Sequence, residues 1–153
     1  MRVIYNDGVF DLFHRGHLEM LKKTKNIFND PDNTFVIIGV VSDNDAASYK
    51  RTPIINEKDR LEIIKNLKFI DKVIFPAPLV VTQEFMEQYK IDYVAHGFSN
   101  DQDRQLQTSS FYKELINNNK FIEIEYYDKT STTQIINNIL QSNNSNLTKK
   151  IVN

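Results

Sequence analysis

Apolar and polar positions along this chain switch repeatedly between the period of a strand and the period of a helix. Val3 to Tyr5 reads as a short strand, and the pattern Leu18, Leu21, Lys22, Lys25, Phe28 predicts a helix over His17 to Phe28. Phe35 to Val41 is an unbroken apolar run, as expected of a strand covered on both faces. Asn56 stands as an N-cap before a helix running through Leu61, Ile64 and Leu67. Lys72 to Phe75 predicts a strand, Thr82 to Tyr89 a short helix, Tyr93 to Ala95 a strand and Ser109 to Asn117 a helix. Phe121 to Tyr126 predicts a last strand, and Ser131 to Leu140 a closing helix. This alternation predicts an α/β fold: a doubly wound, mainly parallel five-stranded sheet flanked by helices. Residues 1–140 form the single domain expected of 153 residues, and residues 141–153 open on Gln-Ser-Asn-Asn-Ser-Asn, a polar, flexible tail with little to bury.

Charge and composition narrow the partners. Lysine and arginine number 19 against 20 acidic residues, a net charge of -1, so no basic field argues for nucleic acid. There are no cysteines, which removes disulfides and thiolate metal sites. The chain opens directly on a strand without a signal peptide, and its longest apolar run is too short to cross a bilayer. A soluble, cytoplasmic protein is expected.

The candidate chemistry concentrates in Gly8 to His17. Two of the three histidines, His14 and His17, fall three residues apart where the first strand gives way to the first helix, so both rings project from one face of its first turn. Two of the four glycines, Gly8 and Gly16, flank them, permitting close approach of backbone to ligand. A helix N-terminus favours anions, and imidazoles that protonate near neutral pH add to that preference, so the turn is suited to a polyphosphate. Ligands in such sheets bind outside the carboxyl ends of the strands. Those ends are Asp7 to His17, Ser42 to Lys50, Pro76 to Pro78, His96-Gly97, and Thr130 to Thr133.

The run from Gly8 to His17, G-V-F-D-L-F-H-R-G-H, resembles the G-x-F-D-x-x-H-x-G-H signature of the cytidylyltransferase family, whose fold is a Rossmann-like nucleotidyltransferase. The likeness continues through Gly39 to Asp43, Lys50, Asn56 to Arg60, Phe69 to Val73, Val94 to Gly97 and Ser131 to Thr133, spanning about residues 2 to 140. It is narrowest to the choline-phosphate, ethanolamine-phosphate and glycerol-3-phosphate branch. The resemblance implies condensation of CTP with a small phosphomonoester to a CDP-alcohol and pyrophosphate, with Mg²⁺ bridging triphosphate oxygens mostly through water and no metal ligands from the chain. It implies His14, His17 and Lys50 as catalytic residues. Gly8, Val9, Phe10, Asp11, Gly16, Arg60, His96, Gly97, Lys129, Ser131, Thr132 and Thr133 are implied at the nucleotide, Asp11 by shaping the turn. Asp7, Lys68, Leu79 and Tyr112 are implied at the second substrate.

Three places favour phosphoethanolamine as that substrate. Lys68 stands for the arginine before the aromatic of the family's R-Y-V-D-E-V segment, His96-Gly97 replaces His-Asp, and the last motif ends Ser-Thr-Thr. Leu79 stands where a choline enzyme would carry an aromatic ring for cation–π contact. Choline-phosphate and glycerol-3-phosphate activities are the alternatives. A third is CTP binding with reduced or lost turnover, because Tyr126 stands where the family's R-T-x-G-I-S-T-T motif has its arginine, with Lys129 as the substitute charge. The resemblance also implies a homodimer meeting through Phe69, Ile70 and Val73. No amphipathic stretch follows Leu140, so no stable membrane anchor is expected.

Overall fold

The first strand, β1 (Arg2–Gly8), runs parallel to β2 (Thr34–Val40) over seven paired positions, Arg2 beside Thr34 through Gly8 beside Val40. The computed structural model describes residues 1–144. Between these strands lies α1 (Arg15–Asn26), followed by a 3₁₀ turn over Pro31–Asn33. Next come α2 (Asp43–Tyr49), α3 (Glu57–Lys65), β3 (Lys72–Ile74), α4 (Gln83–Tyr89), β4 (Tyr93–His96), α5 (Asp101–Ser109), α6 (Lys113–Asn117), β5 (Phe121–Glu123) and α7 (Thr132–Asn144). The sheet order is β3-β2-β1-β4-β5 and every pairing is parallel, as the alternation of elements predicts. From β1 the chain builds outward one way through β2 and β3, and the other way through β4 and β5. The carboxyl ends of β1 and β4 therefore flank the point where strand order reverses, which opens a crevice there.

Both faces of the sheet are covered. Side chains alternate across a strand, and Tyr5 and Ile37 join one core layer with Val81, Met86, Val94 and Leu115. Ile4, Val36, Ile38 and Val40 join the other with Phe10, Leu21, Ile64 and Ala95. Phe69, Ile70 and Val73 are half-buried and pack against that second layer. None of the described helices is long and apolar enough to cross a membrane.

Several predicted boundaries move. Helix α2 was not foreseen; its signal is the N-cap Ser42, whose hydroxyl accepts from Asp45 N at 3.2 Å, with Asp43 and Asp45 in the first turn. The single helix predicted over Ser109 to Asn117 is two, α5 beginning eight residues earlier and α6 separated from it by Ser110 to Tyr112. The last strand stops at Glu123 rather than Tyr126. Helix α7 continues through Asn144, so the tail expected from residue 141 does not begin there, and its remainder, 145–153, lies outside the described residues.

One glycine is dictated by packing. A Cβ at Gly39 would stand 2.1 Å from the Tyr5 hydroxyl and 2.8 Å from the Ala77 Cβ. That hydroxyl is fully buried within electrostatic reach of the Asp7 carboxylate, and among the described residues no hydrogen bond of ordinary geometry reaches it. Gly39→Ala is expected to lower stability by about 2–4 kcal/mol, the cost of overpacking a closed site. Adding Tyr5→Phe should return about 1 kcal/mol or more, because it removes the clashing atom. Urea denaturation of the two single variants and the double variant measures the coupling; additive effects would contradict the contact.

Candidate active site

Between β1 and α1 the chain adopts a conformation that only tertiary contacts maintain. Phe10 has φ 56° and Leu12 φ 49°, left-handed values that cost a non-glycine residue about 1 kcal/mol or more each. Asp11, lying between them and almost fully buried, accepts from the backbone amides of Ile54 and Ile55 at 2.9 Å each. Arg60 of α3 is 0 % exposed. Its guanidinium donates to the carbonyls of Ile55 (2.9 Å), Val41 (2.9 Å) and Val9, and to Asp43 Oδ1 at 2.7 Å. These bonds tie the end of β1, the end of β2, the start of α2 and the approach to α3 into one rim.

Two histidines close the N-terminus of α1 reciprocally. His14 is the N-cap, and its Nδ1 accepts from Gly16 N at 3.0 Å. His17 Nδ1 accepts from His14 N at 3.3 Å. The rings stack with centroids 3.8 Å apart and 26° between planes. With each Nδ1 an acceptor, each neutral ring carries its proton on Nε2. His14 Nε2 meets Thr132 Oγ1 at 3.2 Å, and that hydroxyl donates to the Asp11 carbonyl at 3.0 Å, which fastens the start of α7 to the loop. Gly16 permits the approach: a Cβ there would lie 2.7 Å from the Thr130 carbonyl and 2.8 Å from His14 Cε1. Burial, aided by His14 and Lys50, lowers the His17 pKa to about 3, and burial lowers that of His14. Both imidazoles are therefore neutral in the free protein at pH 7, a correction to the expectation that they protonate there.

The histidines open onto a crevice of about 520 Å³. Asp7 to Asp11, Gly16, Lys50, Gly97 and Ser131 to Thr133 border it, so most of the predicted nucleotide residues do meet. One wall was not foreseen: Ser99, Asn100 and the inner face of α5, with Asp103 and Leu106. Asp103 accepts from Ser99 N and Oγ at 3.1 Å and from Gln107 Nε2 at 2.6 Å. Burial pushes its carboxyl up, but Lys50 and these bonds outweigh that and hold it below the usual carboxylate range. Arg51 and Tyr126 also line the crevice.

The crevice narrows to a blind end at the feet of β1 and β4. Tyr112 donates its hydroxyl to Asp7 Oδ1, and His96 Nδ1 lies 3.2 Å from the Tyr112 hydroxyl and 3.4 Å from that same carboxylate oxygen. Burial first, and Asp7 second, hold the Tyr112 phenol well above its ordinary pKa, so it remains a donor. A cavity of about 10 Å³ lies here, lined by Asp7, Leu79, Tyr49, Phe111, Tyr112 and Gln107 among others.

Residues 5–138 match the family model described as Cytidylyltransferase-like. The chain belongs to that family. It is 34% identical over 141 residues to a probable choline-phosphate cytidylyltransferase of Schizosaccharomyces pombe, covering 90% of this chain and 37% of that protein. It is 28% identical over 137 residues to an ethanolamine-phosphate cytidylyltransferase of Dictyostelium discoideum, covering 90% of this chain and 36% of that one. The chain thus spans under two-fifths of the length of these relatives. Among solved structures it resembles the lipopolysaccharide core biosynthesis protein from Thermoplasma volcanium, at TM-score 0.62 and 27% identity over 84% of this chain and 99% of that one.

Within this cytidylyltransferase-like frame, three predicted site residues stand elsewhere. Arg60 does not border the crevice; it is the buried clamp described above, bonded to Asp43 and not to Glu57. Lys68 is exposed in the turn before β3, at the end of the sheet opposite the site. Lys129 is exposed and does not line the crevice, whereas Tyr126 does. The α5 wall escaped notice because Asp101 to Ser109 has a single apolar residue, Leu106. Its signal was Asn100, whose side chain accepts from Asp103 N at 2.9 Å, three residues before a carboxylate that reaches back to Ser99.

The lowered His17 pKa has a consequence for stability. The unfolded chain binds a proton near pH 6.5 that the folded ring refuses until about pH 3. Stability is therefore lost as pH falls through this interval, by up to about 1.4 kcal/mol per pH unit for this one group. His17→Asn, which keeps an acceptor for His14 N, should flatten the fall in unfolding free energy between pH 6 and 4 relative to the unaltered chain. Urea melts across that range measure it; equal slopes would contradict the buried neutral ring.

Proposed function

We propose that this chain transfers a cytidylyl group from CTP to a small phosphomonoester carrying an ammonium, with phosphoethanolamine first, as a step in phospholipid-precursor synthesis. The observation that carries the reading is the stacked His14–His17 pair, both rings lining the crevice where it meets the α1 N-terminus and each carrying its proton on Nε2. In the reaction an ionised phosphate oxygen attacks the α-phosphorus of CTP. The new P–O bond forms as the bond to the β-phosphate bridging oxygen breaks, and pyrophosphate leaves with the electron pair. The nucleophile is already an anion, so no general base is needed. The chain's contribution is positioning and stabilisation of charge on the departing oxygens. His14 and His17 donate to phosphate oxygens as neutral imidazoles, and triphosphate charge beside them raises their affinity for a proton. Lys50 supplies fixed positive charge at the same mouth, and the hydroxyls of Ser131 to Thr133 complete the cradle.

A metal ion has no built protein site here. Among the described residues no group of three or more His, Cys, Asp or Glu side chains could hold one, and both Asp11 oxygens are occupied by backbone amides. Mg²⁺ accordingly enters this proposal as a companion of the triphosphate, and no residue is assigned to it.

The blind end suits a cationic headgroup. Asp7 is a buried carboxylate whose Oδ1 accepts from Tyr112 and lies 3.4 Å from His96 Nδ1, and the aromatic residues Tyr49, Phe111 and Tyr112 line the same cavity. Glycerol 3-phosphate has no cation to place there. The small cavity, about 10 Å³, favours a compact ammonium over a trimethylammonium. The relatives carry both names, with the choline-phosphate one above at the higher identity, so the names lend phosphoethanolamine no support. We also propose that two copies pair over the partly exposed Phe69, Ile70 and Val73 surface, which sedimentation would test.

Pyrophosphate release from CTP and Mg²⁺ with phosphoethanolamine, phosphocholine and glycerol 3-phosphate in parallel is the direct test. Phosphoethanolamine is expected to give the largest kcat/KM. His17→Ala should reduce kcat by about 10²-fold or more, the cost of losing a positioned donor at developing charge. Asp7→Asn should raise the KM for the phosphomonoester about tenfold or more while leaving the KM for CTP nearly unchanged. Silence with every acceptor, or full activity after His17→Ala, would refute the reading.

A further inference from the structure

Gln107 is a buried polar side chain at the blind end of the crevice that the mechanism above leaves without a role. It lies on α5, is 3 % exposed, and lines the small cavity together with Asp7, Leu79 and Tyr112. Its amide nitrogen donates to Asp103 Oδ1 at 2.6 Å, and Asp103 is itself held by Ser99 at two points. A carboxylate only accepts, so this bond decides which way round the carboxamide sits and leaves the oxygen, Oε1, as the unused end. Among the described residues no donor reaches that oxygen, yet it is not among the sealed polar atoms lacking a partner, which are Tyr5 Oη and Asn6 Oδ1. Gln107 keeps only a sliver of surface, and it lines the cavity. The backbone fixes its place: Tyr112 N donates to the Gln107 carbonyl at 3.0 Å, so this residue and the phenol on Asp7 move as a unit.

We propose that Gln107 Oε1 is the acceptor that recognises the primary ammonium of the phosphomonoester, making Gln107 a specificity-determining residue. This rests on the cytidylyl-transfer reading of the same crevice. An –NH₃⁺ group has three donors to distribute, and Asp7 and Gln107 supply acceptors on neighbouring walls. A quaternary ammonium has no donor and would bury the Gln107 oxygen unpaired. Sites built to hydrogen-bond a substrate N–H discriminate strongly against analogues that lack it.

The test needs no variant at first. The unaltered chain is assayed with CTP and the series phosphoethanolamine, its N-methyl and N,N-dimethyl derivatives, and phosphocholine. The proposal expects kcat/KM to fall at each loss of an N–H, by about tenfold or more over the series. Gln107→Leu, or Gln107→Met should the first fail to fold, removes the acceptor while keeping the volume. Either should raise the KM for phosphoethanolamine about tenfold, leave the KM for CTP within about twofold, and flatten the N-methyl series. Asp103→Asn, which can keep a carbonyl toward the Gln107 amide, should largely preserve the series. A series unchanged by loss of the Gln107 amide, or flattened by Asp103→Asn alone, overturns the proposal. An unaltered chain that turns over none of the four acceptors refutes the cytidylyl-transfer reading itself, and this inference with it.

Discussion

The reciprocal cap on α1 is the interaction from which the rest of the site takes its shape. An N-cap is ordinarily a short serine, threonine or aspartate, chosen only to satisfy a helix amide. Here the capping groups are the functional rings. His14 and His17 commit their Nδ1 lone pairs to Gly16 N and His14 N, and in doing so they fix their own tautomers and stack on each other at the crevice, with His14 Nε2 beside Thr132 Oγ1. The helix cannot form its first turn without orienting the chemistry. Gly16 completes the arrangement, since any side chain there would strike the Thr130 carbonyl and part α1 from the start of α7.

Such a cap requires a loop that presents it correctly, and that loop is held against its own preferences. Left-handed Phe10 and Leu12 are unfavourable on their own. Asp11 and Arg60 impose them. A guanidinium wholly removed from water is costly unless its donors are used, and Arg60 uses its donors on three carbonyls and Asp43. Removing one partner would strand a buried charge, so the clamp is cooperative: the ends of β1 and β2, the start of α2 and the approach to α3 hold together or separate together. The crevice mouth is thus braced by an ion that does not border it.

The parts of this structure visible in the sequence are those carried by periodicity and by local capping. Apolar runs at Phe35 to Val41 and Tyr93 to Ala95 mark strands covered on both faces, and the order of elements dictates a parallel sheet with its crevice at the reversal. Gly8 to His17 announces a site because histidine and glycine cluster at one strand end. What escaped was set by long-range contacts. Arg60 looks like any helix-surface arginine until β2 folds over it, 0 % exposed. Lys129 and Lys68 carry suitable charge in the linear motif, but both are exposed and neither lines the crevice. Helix α5 is polar on nearly every face, so no stripe betrays it; its value lies in Asp103, which feels the remote Lys50, and in Gln107, which Asp103 holds.

The most direct measurement is nitrogen-15 NMR of the imidazole rings at pH 7, with and without CTP. Long-range correlations distinguish a protonated Nε2 from a protonated Nδ1 and either from imidazolium. The account predicts that His14 and His17 are neutral Nε2–H tautomers in the free chain, and that CTP shifts both Nε2 resonances while the Nδ1 caps persist. An imidazolium or a protonated Nδ1 at either ring in the free chain, or rings indifferent to CTP, would contradict it.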